Sequence, residues 1–236
     1  MMNNTLFSIL NQDRQASIAT SGFFSNYPVE TYFIKNQSAL ILGKSDHLWA
    51  HIAGKNQDDI VYLLDKYHHK TNYFFSVEDW AIPLILRHGE ADWIMTTDRY
   101  ILEPSVRVAP SIPPPTQLDA SYAAFIYHHS DYKTYISIPY IEDRLEKDCS
   151  AGMMVEGSLV AWGFTHDDGA LGFLHVLEAF RHCGYGKAIA SGLIQMKRAK
   201  QQPVFCNIVP ENLASTKLAT KIGFALDRRV SWIKLK

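Results

Sequence analysis

The stretch at 174–187, Leu-His-Val-Leu-Glu-Ala-Phe-Arg-His-Cys-Gly-Tyr-Gly-Lys, runs from an apolar strand through a basic turn with two glycines straight into an amphipathic helix. That order constrains the fold more than any other feature of the chain. Gly184 and Gly186, having no Cβ, let the chain turn tightly and let its N–H groups approach an anion closely. The helix that follows adds the free amides of its first turn and the positive end of its dipole. Arg181-x-x-Gly184-x-Gly186 by itself therefore has two readings, a pyrophosphate cradle or a plain strand-to-helix turn.

Two other phosphate loops fit these residues badly. A dinucleotide fingerprint needs Gly or Ala three residues after Gly186, where Ile189 stands. A nucleoside triphosphate loop needs Ser or Thr after its Gly-Lys, where Ala188 stands, and neither Phe180 nor Arg181 supplies its first glycine.

The downstream residues make the cradle specific. After the amphipathic segment 187–200 come a short apolar strand, 204–208, and then Asn212-Leu-Ala-Ser-Thr-Lys-Leu-Ala-Thr-Lys-Ile-Gly223-Phe224. A strand, the Arg-x-x-Gly-x-Gly turn, a helix, a second strand and an Asn-initiated helix ending in Gly-Phe cover about the last third of the chain. In this order they resemble the coenzyme A binding half of the GCN5-related N-acetyltransferases (GNAT). Toward the N-terminus the resemblance extends most naturally to the glycine N-acyltransferase-like, or FR47-like, branch, in which a degenerate first domain of related fold precedes the catalytic one.

Composition narrows the partners. A formal net charge of −1 with no long basic run argues against a nucleic-acid partner, which would need a clustered cationic face. The first residues lack a charged segment leading into a long apolar core, and no apolar run approaches the ~20 residues of a membrane span, so a cytoplasmic location is expected and no membrane partner. The three cysteines, Cys149, Cys183 and Cys206, are odd in number and lack metal-ligand spacing. They suit a reducing compartment and a protein without a metal. Cys183 lies in the proposed cradle, but the loop's chemistry comes from backbone amides and no activating partner is evident, so it reads as a loop residue rather than a nucleophile.

Pro110 and Pro113-Pro114-Pro115 suggest an extended linker. The expected organisation is residues 1–105 as a degenerate GNAT-like domain, 106–116 as a proline-rich linker and 117–236 as the catalytic domain. In the first part the sequence predicts a helical start, a hairpin of 29–34 and 39–42 around the turn 35–38, a strand at 48–52, a helix at 58–67, a helix at 76–88 and a strand at 92–96. This part has no Arg-x-x-Gly-x-Gly equivalent and no short repeat relates it to the rest, so its expected work is structural. After the linker, 118–129 and 141–148 look helical with a Tyr- and His-rich segment between them. The resemblance implies that these helices overhang the acceptor. Strands follow at 152–155, 159–165 and 170–177, with turns at Glu156-Gly157 and Asp167-Asp168-Gly169. The expected class is α+β, a mixed and mainly antiparallel sheet flanked by helices.

The resemblance implies that acetyl-CoA or another acyl-CoA is the co-substrate. Backbone N–H near the splay of the strand, around Leu174 and Val176, would hold the thioester carbonyl in the manner of an oxyanion hole. The pantetheine amides would extend that strand, and the pyrophosphate would lie over Arg181, His182, Cys183, Gly184, Tyr185, Gly186 and Lys187. Asn212 can cap its helix and also hydrogen-bond the pantetheine arm.

The usual general base maps onto Ala170, or in other relatives onto Gly172, and neither accepts a proton. Strand alternation puts Ala170, Gly172, Leu174 and Val176 on one face and Phe173 and His175 on the other, unless a bulge intervenes. His175 is thus open to two readings, packing residue or base. His166, Asp167, Asp168, Glu156, His128 and His129 are further titratable groups, and ordered water or an already neutral amine is another route. Small residues at 170 and 172 would leave room beside the thioester. The usual acid, a tyrosine, aligns with Ala219. Ser215, one turn earlier, can offer its hydroxyl to the leaving sulfur or simply lie on the helix surface.

These readings point first to an acyl-CoA-dependent N-acyltransferase acting on the amine of a small molecule or amino acid. A non-catalytic acyl-CoA-binding sensor or scaffold is the alternative motivated by Ala170 and Ala219. A protein N-acetyltransferase is a further one, and would need an open groove beside the strand.

Overall fold

The computed structural model describes residues 4–130 and 133–236, so residues 131–132 of the Tyr- and His-rich segment and residues 1–3 lie outside the described residues. The chain folds as two compact units, Met1–Arg99 with Arg228–Lys236, and Tyr100–Asp227.

The first unit begins with α1 (Asn4–Gln12) and α2 (Ile18–Asn26), followed by β1 (Val29–Lys35), β2 (Ser38–Lys44) and β3 (Leu48–Ala53). Asn36, at a φ of 50°, turns β1 into β2 at the expected place. Next come α3 (Gln57–Tyr67), capped by the Asn56 side chain accepting from the Asp59 amide at 3.0 Å, β4 (Tyr73–Glu78) and the short α4 (Ile82–Ile85). The unit also holds most of β5 (Ala91–Leu102) and of β10 (Ala225–Leu235), in the strand order β1-β2-β3-β4-β10-β5.

The helix expected at 76–88 is absent, and its signal has a physical origin. Val77, Ala81, Leu84 and Ile85 are all buried in one core with Ile60 and Leu64 of α3, and their spacing imitates a helical stripe. Val77 instead lies within β4, which pairs in parallel with β3 and antiparallel with β10. Pro83 sits in the first turn of α4, where a missing N–H is tolerated, so the helix starts only there.

The second unit takes up the end of β5 and continues through a 3-10 turn into α5 (Ala123–His128) and α6 (Ile138–Lys147). Strands β6 (Ser150–Val155), β7 (Ser158–Thr165) and β8 (Leu171–Val176) follow, then α7 (Tyr185–Ala199), β9 (Val204–Ile208), α8 (Leu213–Ile222) and the start of β10. Its strand order is β5-β9-β8-β7-β6, with β6–β7 and β7–β8 antiparallel and β8–β9 parallel. Helices flank a mainly antiparallel sheet, the expected α+β class. One core lies between the sheet and α7, with Leu171, Ile189, Leu193 and Cys206. Another lies under α5 and α6, with Ile126, Ile141, Trp162 and Phe164.

These units do not follow the expected division at 105 and 117. The proline-rich segment lies inside the second unit, docked along α7: Arg198 donates to the Val106 carbonyl at 2.7 Å and Gln195 to that of Val108 at 2.8 Å. Pro115 lies over Gly192, where a Cβ would come within 2.6 Å of its Cγ. Prolines stiffen this stretch, but the valines between them bury apolar surface and tie it down.

Leaving short 3-10 turns aside, the chain runs α-α-β-β-β-α-β-α-β from α1 to β5 and again from α5 to β10. In each run the third and fourth strands pair in parallel and the earlier ones antiparallel.

Candidate functional site

Strand β8 is paired along its length with β7 but meets β9 at one residue pair, Leu171 with Cys206. In the first unit the corresponding parallel strands, β3 and β4, share three pairs. Residues 172–176 therefore have backbone groups toward β9 that no strand satisfies, the kind of edge an extended ligand can join.

At the end of this opening the chain makes the predicted turn. His182 takes a φ of 64° and Gly184 a φ of 85°, both in the left-handed region, and Gly184 is the N-cap of α7. A Cβ on Gly184 would meet nothing within 4 Å, so the space above the turn is open. Behind it, the N-terminal amides of a helix have no intrahelical partner. Arg181, His182, Cys183 and Lys187 are exposed and Tyr185 half-buried. Arg181 donates its Nε–H to the Val176 carbonyl at 3.3 Å, which ties the turn to the strand end. The donor set, free amides with two exposed cations and room for an anion, fits a pyrophosphate.

Gly186 does a different job from Gly184. A Cβ there would stand in ordinary contact, 3.6 Å from Leu174 and Leu218 and 3.8 Å from Val176, so the space where α7 meets β8 and α8 holds a methyl but no larger side chain. Leu174, Val176 and residues 181–187 are thus brought together. Asn212 caps α8 by accepting from the Ser215 amide at 3.1 Å. Ser215 is half-buried, and Ala219, one turn on, is 7% exposed and packed in the core beneath α7.

The alternation expected along β8 is broken by a bulge. Trp162 pairs with His175 and Phe164 with Gly172, so Gly163 alone opposes Phe173 and Leu174. Phe173 takes a φ of 48°, a conformation a phenylalanine holds only under constraint from its surroundings. Leu171, Leu174 and Val176 consequently face α7, whereas Gly172 joins Phe173 and His175 on the face beneath α5 and α6. The expectation that Gly172 shares a face with Leu174 and Val176 is corrected.

Two further expectations change. Ala170 lies before β8, fully buried, its amide donating to Asp168 at 2.8 Å to close the turn. The room expected beside Gly172 is filled, because a Cβ there would overlap Nε2 and Cδ2 of His166. His175 lies on the opposite face of β8 from Leu174 and Val176 and stacks on the buried Trp162, with 4.7 Å between centroids. Asp167 and Asp168 are buried in their turn, and Asp168 also accepts from Asn207 at 3.2 Å.

Beside α5 a cavity of about 530 Å³ reaches Leu177 and Phe180, which lead into the turn, and is lined also by Tyr122, Phe125, His129 and Leu159. Among the described residues no group of three or more His, Cys, Asp or Glu is arranged to hold a metal ion, and no helix is long and apolar enough to cross a membrane.

Residues 151–233 match the family model described as FR47-like protein. No curated protein sequence matches the chain. Among solved structures it is similar to a Drosophila protein at 20% identity and a TM-score of 0.73, over 98% of this chain and 89% of that one. It is also similar to a GCN5-related N-acetyltransferase from Kribbella flavida, at 12% identity, 94% of each chain and a TM-score of 0.60. A tandem GNAT protein from the clavulanic acid biosynthesis pathway aligns at 11% identity over 92% of this chain and 87% of that one, with a TM-score of 0.52. At such identities these likenesses are of fold. With the FR47-like match over residues 151–233, they show that this chain has the fold of the GCN5-related N-acetyltransferases.

Proposed function

We propose that the second unit is an acyl-CoA-dependent N-acyltransferase, with acetyl-CoA the expected donor and the amine of a small molecule or amino acid the acceptor. The observation that carries this reading is the opening of β8 from β9 directly before the turn of Gly184 and the N-terminus of α7. Pantetheine would pair with the free edge of 172–176 while the pyrophosphate takes the amides of 185–187, with Arg181 and Lys187 adding charge. Leu174 and Val176 flank the expected position of the thioester, Asn212 would reach the pantetheine arm, and Ser215 is the hydroxyl offered to the sulfur. The bulge at Phe173 takes a residue out of the β7 ladder and supports an oxyanion-binding role for backbone N–H near 174.

The first unit is proposed to be a degenerate repeat of the same fold, because its elements follow the same order. It has no cradle: residues 54–56 alone join β3 to α3, and Asp58 and Asp59 put negative charge where an anion would sit. Three free cysteines and the absence of an apolar span among the described residues support work in the reducing cytoplasm.

A second reading, an acyl-CoA sensor without turnover, is favoured by the burial of Ala170 and Ala219 where the resemblance expects a base and an acid respectively. Calorimetric titration with acetyl-CoA against CoA, NAD and ATP, followed by thiol release across an amine panel, tests both. Selective binding with amine-dependent thiol release supports the transferase. Binding without it supports the sensor, and no binding by a folded sample removes both.

A further inference from the structure

We propose that His166 is the proton acceptor of the transfer reaction, an imidazole delivered from the neighbouring turn into the place that a side chain on Gly172 would occupy. The inference rests on the acyltransferase reading of the same site and deepens it.

The geometry is specific. A Cβ on Gly172 would overlap Nε2 and Cδ2 of His166 and stand 3.1 Å from Cε1, so the Nε2–Cδ2 edge of the ring occupies the place of a side chain at that residue. Gly172 is the first residue past the Leu171–Cys206 pair, the point at which β8 and β9 part. The bulge at Phe173 is what turns Gly172 toward His166, and the Phe173 ring then packs on the imidazole with centroids 4.2 Å apart. His166 itself closes the hairpin through backbone bonds, donating to the Ala170 carbonyl at 2.9 Å and accepting from Gly169 at 2.8 Å, so its position is fixed by the turn. Among the described residues neither ring nitrogen has a hydrogen-bond partner, and the ring is buried although the residue as a whole keeps some surface. His175 lacks this placement, since one face of its ring is covered by Trp162.

The surroundings keep the ring ready to accept. Burial, and then the positive charge of Arg144, hold its pKa down to about 4, so it is neutral at neutral pH. The other titratable groups around it are Tyr140 of α6, whose hydroxyl accepts from the Asp167 amide at 3.4 Å, and Asp167 and Asp168 in its own turn. A weak base suffices because the amine becomes far more acidic once it has bonded to the carbonyl carbon. In that step the amine lone pair forms the C–N bond and the carbonyl electrons move to oxygen. An N–H proton passes to His166, the C–S bond then breaks, and the departing thiolate takes the proton back from the imidazolium. Amide and free thiol are the products, and His166 ends neutral.

The test uses the full chain with acetyl-CoA and an amine accepted by the wild type. His166→Ala should bind acetyl-CoA with unchanged affinity but turn over about 100-fold more slowly, its residual rate rising with pH as free amine accumulates. His166→Gln, which keeps much of the ring's volume, should behave alike and separates loss of the proton acceptor from loss of packing. His166→Ala combined with Gly172→Glu should regain at least tenfold of the lost turnover, on the order expected of a positioned carboxylate. Gly172→Ala should destabilise the wild type and be tolerated beside His166→Ala. Wild-type turnover and pH profile in His166→Gln overturn the assignment while leaving the acyltransferase reading intact. Absence of binding and thiol release in the wild type overturns both.

Discussion

The imidazole of His51 lies 4.6 Å, centroid to centroid, from the ring of Phe23, fully buried, with neither nitrogen hydrogen-bonded among the described residues. Phe24 and Phe75 close around it. Burial alone pushes its pKa from 6.5 down to about 3, and that of His166 to about 4 with help from Arg144. Each ring binds a proton less readily folded than unfolded. Its contribution is therefore whole above pH 6.5 and is lost as the pH falls toward the folded value. Stability should drop by about 1.4 kcal/mol per pH unit for each ring once well below 6.5. Urea unfolding from pH 7.5 to 5 measures this, and His51→Leu should reduce the slope by one proton and cost nothing at neutral pH, since it removes two unpaired buried nitrogens.

The two glycines of the cradle should separate by substitution. Valine at Gly184 forces a β-branched residue into a φ of 85° but meets open space, so stability should fall by about 1–3 kcal/mol while acetyl-CoA binding disappears. Gly186→Ala should be tolerated at its 3.6 Å contacts, whereas Gly186→Val pushes Leu174 and Leu218 apart and loses both binding and stability. Calorimetry and thermal melts on the three variants report this, and full affinity in folded Gly184→Val would remove the cradle.

Arg144 and Asp148 form a buried pair whose disruption should be expensive. The guanidinium lies 3.6 Å from the carboxylate, with side chains 0% and 2% exposed, and Asp148 also accepts from Thr165 at 2.9 Å and Lys200 at 3.0 Å. Burial pushes the Asp148 pKa up, but Lys197, the Lys200 and Thr165 hydrogen bonds and the Lys200 charge outweigh it and hold the carboxyl below its ordinary 3.8. Arg144→Met should lower unfolding free energy by about 1.5–3 kcal/mol, because it removes one buried charged partner from a carboxylate that keeps Lys200 and Thr165. A loss under about 1 kcal/mol in urea titration, the scale of an exposed pair, would show that solvent reaches the site.

Cys183 should be the only cysteine that reacts in the native protein. It is exposed in the cradle, while Cys149 and Cys206 are buried and burial raises both thiols, Cys206 to about 12. Native alkylation read by mass spectrometry should label residue 183 alone, and saturating acetyl-CoA should slow it at least tenfold if the pyrophosphate lies over that turn. Rapid labelling of Cys206, or no protection by acetyl-CoA, contradicts the placement of the thiols or of the cofactor.

Much of the local structure could be read from neighbouring residues. The turn into α7 needs Gly184 in a conformation that side chains resist, Asn56 and Asn212 cap the helices that follow them, and the hairpin at Asn36 lies between two β-rich runs. Each depends on contacts within about four positions of the chain, and such contacts are encoded where they act. The stripe at 77, 81, 84 and 85 misled because one core accepts the end of a strand and the helix after it at the same spacing.

What the residues determined alone was the order strand, glycine turn, helix, strand, capped helix, and with it the resemblance to the GCN5-related N-acetyltransferases and the expected donor. Tertiary structure decided the rest. The bulge at Phe173 exists because β7 offers one residue, Gly163, against two of β8, a register set by pairing across the hairpin. Counting along the strand therefore placed Gly172 on the wrong face, and it had no means of placing His166 upon it. The return of Arg228–Lys236 to the first unit likewise follows from the hydrogen bonds of β10 with β4, some 150 residues away in sequence, as the Arg228–Glu78 pair records. Periodicity reports which side of an element is apolar. Which distant strand completes its ladder, and whose side chain fills the space above a glycine, depends on free energies that arise only when the whole sheet assembles.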